Sequence, residues 1–126
     1  MPKKIIQSDE APAPIGPYSQ AVRVNDTLYV SGQIPLDATS GELINANITE
    51  ETHQVMKNLE AILRAAGSSF AQVAKCTIFI RDMGQFATIN EAYGQYFKEN
   101  PPARETVEVS RLPKDVSVEI SCIASV

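Results

Sequence analysis

Between Thr49 and Ala66, Val55, Met56, Leu59, Ile62, Leu63 and Ala66 fall on one face at the ~3.6-residue period of an amphipathic helix. Asn47 or Thr49 suits the N-cap, Glu50 and Glu51 lie at the positive end of the helix dipole, and Gly67 suits the C-terminal stop. The period then drops to two. In FAQVAKCTIFIRD, Ala74, Cys76, Ile78 and Ile80 point one way and Val73, Lys75, Thr77 and Phe79 the other, which predicts a strand. A second helix is expected from Met83 to Lys98, with Phe86, Ile89, Tyr93, Tyr96 and Phe97 as its apolar stripe. Asp82 and Gln85 form a capping-box-like pair at its start, and ENPP ends it. Gly94 within it costs about 1 kcal/mol against alanine, which points to close packing or to an imperfect helix.

QAVRVNDTLYVSGQIP reads as two short strands turning at Asn25-Asp26. The second ends in Ser31-Gly32-Gln33, where glycine lets another group come close to the backbone. The proline-rich APAPIGP before them is an ordered loop or turn, and LDATSGEL after them is a polar loop. Two strands close the chain. In the first, Arg104, Thr106, Glu108 and Ser110 share one face, with Val107 and Val109 on the other. In the second, Val116, Val118, Ile120, Cys122 and Ala124 oppose Ser117, Glu119, Ser121 and Ser125, and Leu112–Asp115 turns between the two. The order is β-β-α-β-α-β-β, an α+β domain with both helices on the apolar face of the sheet. The other face is semi-polar. It is either solvated or finishes its burial against another subunit, and an oligomer is expected.

The 126 residues read as one domain, 1–126, with ordinary proportions for a soluble protein: 44% hydrophobic and 21% charged. The net charge of −4 and the pI near 4.9 speak against a nucleic-acid-binding surface, which needs basic residues to displace counterions. MPKKIIQSDE holds no signal-peptide core, and no run approaches the ~18 apolar residues of a membrane span. A cytoplasmic protein without membrane contact is the expectation. Cys76 and Cys122 sit in apolar runs outside any CxxC pattern and read as buried reduced thiols.

His53 is the one histidine, and no HExxH, P-loop, GxGxxG or GxSxG pattern is present. No metal, nucleotide or covalent serine chemistry is therefore expected. What remains is sparse. Arg104 is a fork donor suited to a planar carboxylate, with Thr106 on its side. Glu119 projects from the semi-polar face of the neighbouring strand, Tyr18 follows the proline-rich loop, and Ser31 and Gly32 end a strand. Spacing alone leaves two readings, a carboxylate-binding cleft or a structural Arg104–Glu119 ion pair with Tyr18 as loop packing.

APAPIGPYSQAV, YVSGQIPLD, QVMKNLEAIL, FIRDMGQFATINEAYGQYF and PPARETVEVSRLPKDVSVEI together resemble the RidA (YjgF) family of reactive-intermediate deaminases, in its arginine-bearing subgroup. The likeness spans nearly the whole chain. It implies a chorismate-mutase-like fold and a homotrimer whose sheets form a central barrel with clefts between subunits. It also implies hydrolysis of 2-iminobutanoate, 2-iminopropanoate or their enamine tautomers to 2-oxo acids and ammonia, downstream of pyridoxal-phosphate-dependent dehydratases. By that resemblance Arg104 holds the substrate carboxylate and Glu119 orients or activates water. To accept a proton Glu119 must be at least partly ionised, and the charge of Arg104 is expected to favour that state. Tyr18 flanks the substrate, Ser31 and Gly32 line the pocket, and Asn90 supports it. Thr106 stands where many relatives carry cysteine. Two departures bear on substrate range: Glu105 follows the arginine where a small residue is usual, and Pro101 replaces a frequent aromatic.

So little machinery suffices for this chemistry. An imine carbon is already electrophilic, and orienting it against one water makes the encounter effectively unimolecular. General acid–base help adds about 10²–10⁴-fold. The alternatives are a non-catalytic module binding small 2-oxo or amino acids in the same cleft, and a ribonuclease or translation inhibitor, which the acidic pI and lone histidine disfavour.

Overall fold

The computed structural model describes residues 2–126. They run in the order β1 (Lys4–Ile6), β2 (Ala21–Val24), β3 (Thr27–Gln33), α1 (Ile48–Ala65), β4 (Val73–Ile80), α2 (Phe86–Gly94), β5 (Ala103–Glu108) and β6 (Val118–Ser125). The α+β architecture with two helices is as the sequence predicts, and β1 is an additional strand. Three residues flanked by lysine give too short an alternation to read, yet β1 pairs with β2 in full register.

Local chemistry explains α1. Asn47 Oδ1 accepts the Glu50 N–H at 2.9 Å, making Asn47 rather than Thr49 the cap. At the other end Gly67, with φ +78°, lets its own N–H reach Arg64 and the Ser68 N–H reach Leu63, which satisfies two terminal carbonyls. The predicted apolar stripe is the buried one: Val55, Met56, Leu59, Ile62 and Leu63 lose all solvent contact. Each such side chain contributes roughly 1.5–3 kcal/mol against exposure.

The sheet order is β1-β2-β3-β6-β4-β5, with β4 and β5 parallel and the other neighbours antiparallel. The last two strands are therefore not neighbours, because β4 lies between them. Cys76, Ile78 and Ile80 of β4 are essentially dry, which suits an interior strand, whereas ARETVE carries charges an edge tolerates. α2 makes the crossover that a parallel β4–β5 pair requires.

Register then decides faces. Val30, Cys122, Cys76 and Arg104 form one row across β3, β6, β4 and β5 on the helix-covered side. Arg104 thus lies on the side of the core, and Val107 faces the open side, 44% exposed. The valine face of β5 is not the one the helices cover. In β4, Val73 is buried and Ala74 exposed, the reverse of simple alternation, because a register shift between Val73 and Lys75 inserts one extra residue against β6.

α2 is shorter than its apolar stripe. It ends at Gly94, and Gln95, Tyr96 and Phe97 continue in tighter i→i+3 bonds. A Cβ at Gly94 meets nothing within 4 Å, so the glycine marks the helix end and not close packing. Asp82 caps a short 3₁₀ turn by accepting the Gly84 N–H at 2.8 Å, and no side-chain bond to Gln85 completes a capping box. Opposite the helices, Ile5, Val22, Tyr29 and Ile123 form a continuous row on the open face, with Ile5 52% and Tyr29 46% exposed.

Candidate functional site

The predicted residues gather in two groups on opposite faces of the sheet. Arg104, Asn90 and Thr106 lie on the helix side at the β5 edge. Tyr18, Ser31, Gly32 and Glu119 lie toward the open side, around β3 and β6. From β3 to β5 is three strand spacings, about 14 Å.

At the β5 edge, Arg104 Nη1 donates to Asn90 Oδ1 at 2.5 Å. The Arg104 guanidinium carbon lies 5.4 Å from the Phe86 ring centroid and 5.3 Å from that of Tyr93. Each such cation–π contact contributes about 0.5–1 kcal/mol at an exposed site and more when desolvated. Among the described residues Arg104 makes no ion pair, so a structural Arg104–Glu119 pair does not form. Glu105 turns to the other face and meets Lys75 at 3.3 Å, leaving Arg104 free of its charge. The Tyr93 and Thr106 hydroxyls are buried nearby; that of Tyr93 has only the weakly accepting Cys76 thiol beside it, and that of Thr106 has no hydrogen-bond partner. A buried hydroxyl left unpaired destabilises by roughly 1–3 kcal/mol. Pro101 is exposed on the approach to β5.

Beneath the same edge, Cys76 and Cys122 face each other across β4 and β6, both free and buried. Burial pushes both thiols up from their ordinary range and pushes the Tyr93 phenol up well beyond its own. Neither cysteine supplies a thiolate near neutral pH.

The second group is organised by a bulge. Val30 pairs with Cys122 and Gln33 with Ile120, so Ser31 and Gly32 together oppose Ser121. The Ser31 N–H donates to the Gln20 carbonyl at 2.9 Å and its hydroxyl to the Ser19 carbonyl at 2.6 Å, tying the bulge to the loop that carries Tyr18. Tyr18 Oη accepts the Ile15 N–H at 3.2 Å, which folds the proline-rich loop over its own ring. Glu119 lies against Gly32. A Cβ there would overlap the carboxylate and stand 2.8 Å from its carbon, so the residue must be glycine for Glu119 to sit where it does. Burial raises the Glu119 carboxyl above its ordinary 4.5, with no contribution from Arg104, whose charge was expected to hold it ionised. A cavity of about 600 Å³ opens on this face, lined by Tyr18, Ser31, Tyr29, Thr77 and Ile123 among others.

His53 is half-buried on α1, with Nδ1 2.7 Å from Tyr96 Oη, apart from both groups. No set of three or more His, Cys, Asp or Glu side chains among the described residues is placed to share a metal ion. No helix among them is long and apolar enough to cross a membrane. The sequence reading counted Phe86 and Tyr93 only as core. Their signal was present in the spacing, since residues 86, 90 and 93 recur at i, i+4 and i+7 on one helix face with the site asparagine between them.

A small α+β protein thus sets an arginine against two aromatic rings at a sheet edge and an acid against a glycine bulge. Comparison with known proteins places it more closely. The family model described as Endoribonuclease L-PSP matches residues 8–126. A RutC family protein of Pyrococcus horikoshii is 51% identical over 97% of both chains. The human 2-iminobutanoate/2-iminopropanoate deaminase is 47% identical over 97% of this chain and 89% of its own. Among solved structures, Escherichia coli TdcF with bound serine superposes with a TM-score of 0.94 at 43% identity, covering 98% of each chain. The chain belongs to the RidA/YjgF family.

Proposed function

We propose that this protein is an imine deaminase. It hydrolyses 2-iminobutanoate, 2-iminopropanoate and their enamine tautomers to the 2-oxo acid and ammonia. The observation that carries the reading is the Arg104 guanidinium, held by α2 yet without a carboxylate partner among the described residues. A planar carboxylate is the ligand such a fork fits best. The deaminase name of the human relative supplies the reaction class.

Arg104 and Glu119 lie on opposite faces, so one copy of the chain does not bring them to one substrate. Catalysis in clefts between copies follows, with Arg104 from one and Tyr18, Ser31, Gly32 and Glu119 from the next. A homotrimer closing on the uncovered Ile5–Val22–Tyr29–Ile123 row satisfies this arrangement. Arg104 holds the carboxylate with Asn90 behind it, and Tyr18 and Ser31 wall the cleft. Ionised Glu119 accepts a proton from water as the water oxygen bonds to the imine carbon and the C=N π pair moves to nitrogen, and Glu119 returns that proton to the nitrogen. It then moves the carbinolamine hydroxyl proton to the amine, so that the C–N bond breaks, the carbonyl forms and ammonia leaves. Thr106 offers a hydroxyl near Arg104. The substrate reaches the protein in solution in the cytoplasm, from a dehydratase that releases it.

A second reading has one observation in its favour: TdcF was solved holding serine. In it the cleft binds small amino or 2-oxo acids without turnover. The deciding assay measures 2-oxobutanoate release when a threonine dehydratase feeds fresh imine, with semicarbazide competing for it. Wild type should accelerate release and Arg104→Ala should not, a loss of about 100-fold or more in kcat/KM. Two folded proteins that both leave the rate unchanged would leave the binding module as the better reading.

A further inference from the structure

Phe86, Asn90 and Tyr93 lie on one face of α2, and each of them meets Arg104. An exposed arginine on an edge strand samples many rotamers, and any ligand it binds must first select one. Here the guanidinium is bounded by two ring faces and pinned at one nitrogen, so its remaining N–H groups keep one direction. The rings are themselves braced. Tyr93 is only 4% exposed, its centroid lies 4.9 Å from that of Phe97, and Phe97 packs edge-on to Phe70 at 5.3 Å.

We propose that Phe86 and Tyr93 are positioning residues for carboxylate recognition: their ring faces, with Asn90 at one end, hold the Arg104 fork toward the carboxylate of a 2-imino or 2-oxo acid. The inference rests on Arg104 taking that carboxylate. It assigns the work to the ring of Tyr93 and not to its hydroxyl, which is buried against the Cys76 thiol. A leucine in either place fills similar space but offers no quadrupole to the cation.

The test is calorimetric binding of 2-oxobutanoate, with KM and kcat measured in parallel, for wild type, Phe86→Leu, Tyr93→Leu and Tyr93→Phe. Each leucine variant should weaken binding and raise KM about fivefold, the size of one cation–π contact, with kcat changed less than about twofold. Tyr93→Phe keeps the ring face and should restore wild-type affinity. A general packing defect would not be rescued in this way, nor would it split KM from kcat. Should Tyr93→Leu fail to fold, Phe86→Leu at its half-buried position carries the test. Folded leucine variants that bind as tightly as a wild type that does bind would overturn the clamp alone. So would a Tyr93→Phe protein as weak as Tyr93→Leu, since the hydroxyl would then matter. A wild type that binds no 2-oxo acid would overturn the role of Arg104 and the clamp together.

Discussion

Arg104 stands on an edge strand, exposed to solvent, yet three side chains of α2 hold its charge in place. Glu119 stands on an interior strand, half-buried, and no cation among the described residues offsets its charge. The first is preorganised. The second is desolvated and resists ionisation. Each half is therefore incomplete in a complementary way, one lacking an anion and the other a cation or a proton. On the reading proposed above, a 2-imino acid between two copies answers both: its carboxylate pairs with Arg104, and Glu119 takes a proton from the attacking water. The core beneath α1 is dry.

The contrast is broken most severely at Glu119. Glu119→Gln removes the base and should lower kcat/KM by about 10²–10⁴-fold in the dehydratase-coupled assay. In wild type the base must be ionised, so kcat/KM should fall as pH drops through a value above the ordinary 4.5. Stability should move the other way. A carboxyl whose folded pKa is raised destabilises the fold as pH climbs from its unfolded value through its folded one. Glu119→Gln should then melt higher than wild type at about pH 7, with the difference gone at about pH 4. An inactive variant with no gain in melting temperature would mean that Glu119 is not desolvated in the assembled protein.

A gentler break is Gly32→Ala. The added methyl would collide with the Glu119 carboxylate and force it off the bulge. Displacement of a catalytic group by about 1 Å costs on the order of 100-fold in rate, so kcat should fall well below wild type while 2-oxobutanoate still binds. Unchanged kcat would show that the seat on Gly32 is incidental. The smallest effect is expected at Glu105, whose charge belongs to the Lys75 pair on the opposite face from Arg104. Exposed pairs contribute about 0–1 kcal/mol, so Glu105→Ala should change melting temperature slightly and KM by less than about twofold. A large fall in KM would mean that Glu105 does repel the substrate carboxylate.

Some of this was legible in the sequence. The α1 stripe, the alternation of β6 and the permissive role of Gly32 each depend on a few adjacent residues, and all three stand in the structure. What approaches Gly32 is Glu119, far away in the chain, and no local pattern names it. Strand order was illegible for the same reason. Alternation in ARETVE separates Arg104 from Val107 but does not say which of them faces the helices. That is decided by the pairing of Arg104 with Cys76 on β4, a long-range contact. One extra residue at Ala74 was enough to reverse the reading of a strand end, because side-chain direction repeats every two residues. Phe86 and Tyr93 were hidden by their own chemistry, since aromatic residues on a helix face look alike whether they fill a core or hold a cation.

The most direct test is complementation between two inactive chains. Arg104→Ala and Glu119→Gln would be prepared separately, then co-expressed so that they assemble together. If each cleft draws Arg104 from one copy and Glu119 from the next, chance mixing makes both residues intact in about a quarter of the clefts. The mixed protein should recover about that fraction of the wild-type rate. Mixed assemblies, verified by native mass spectrometry, that stay as inactive as either parent would contradict a site shared between copies.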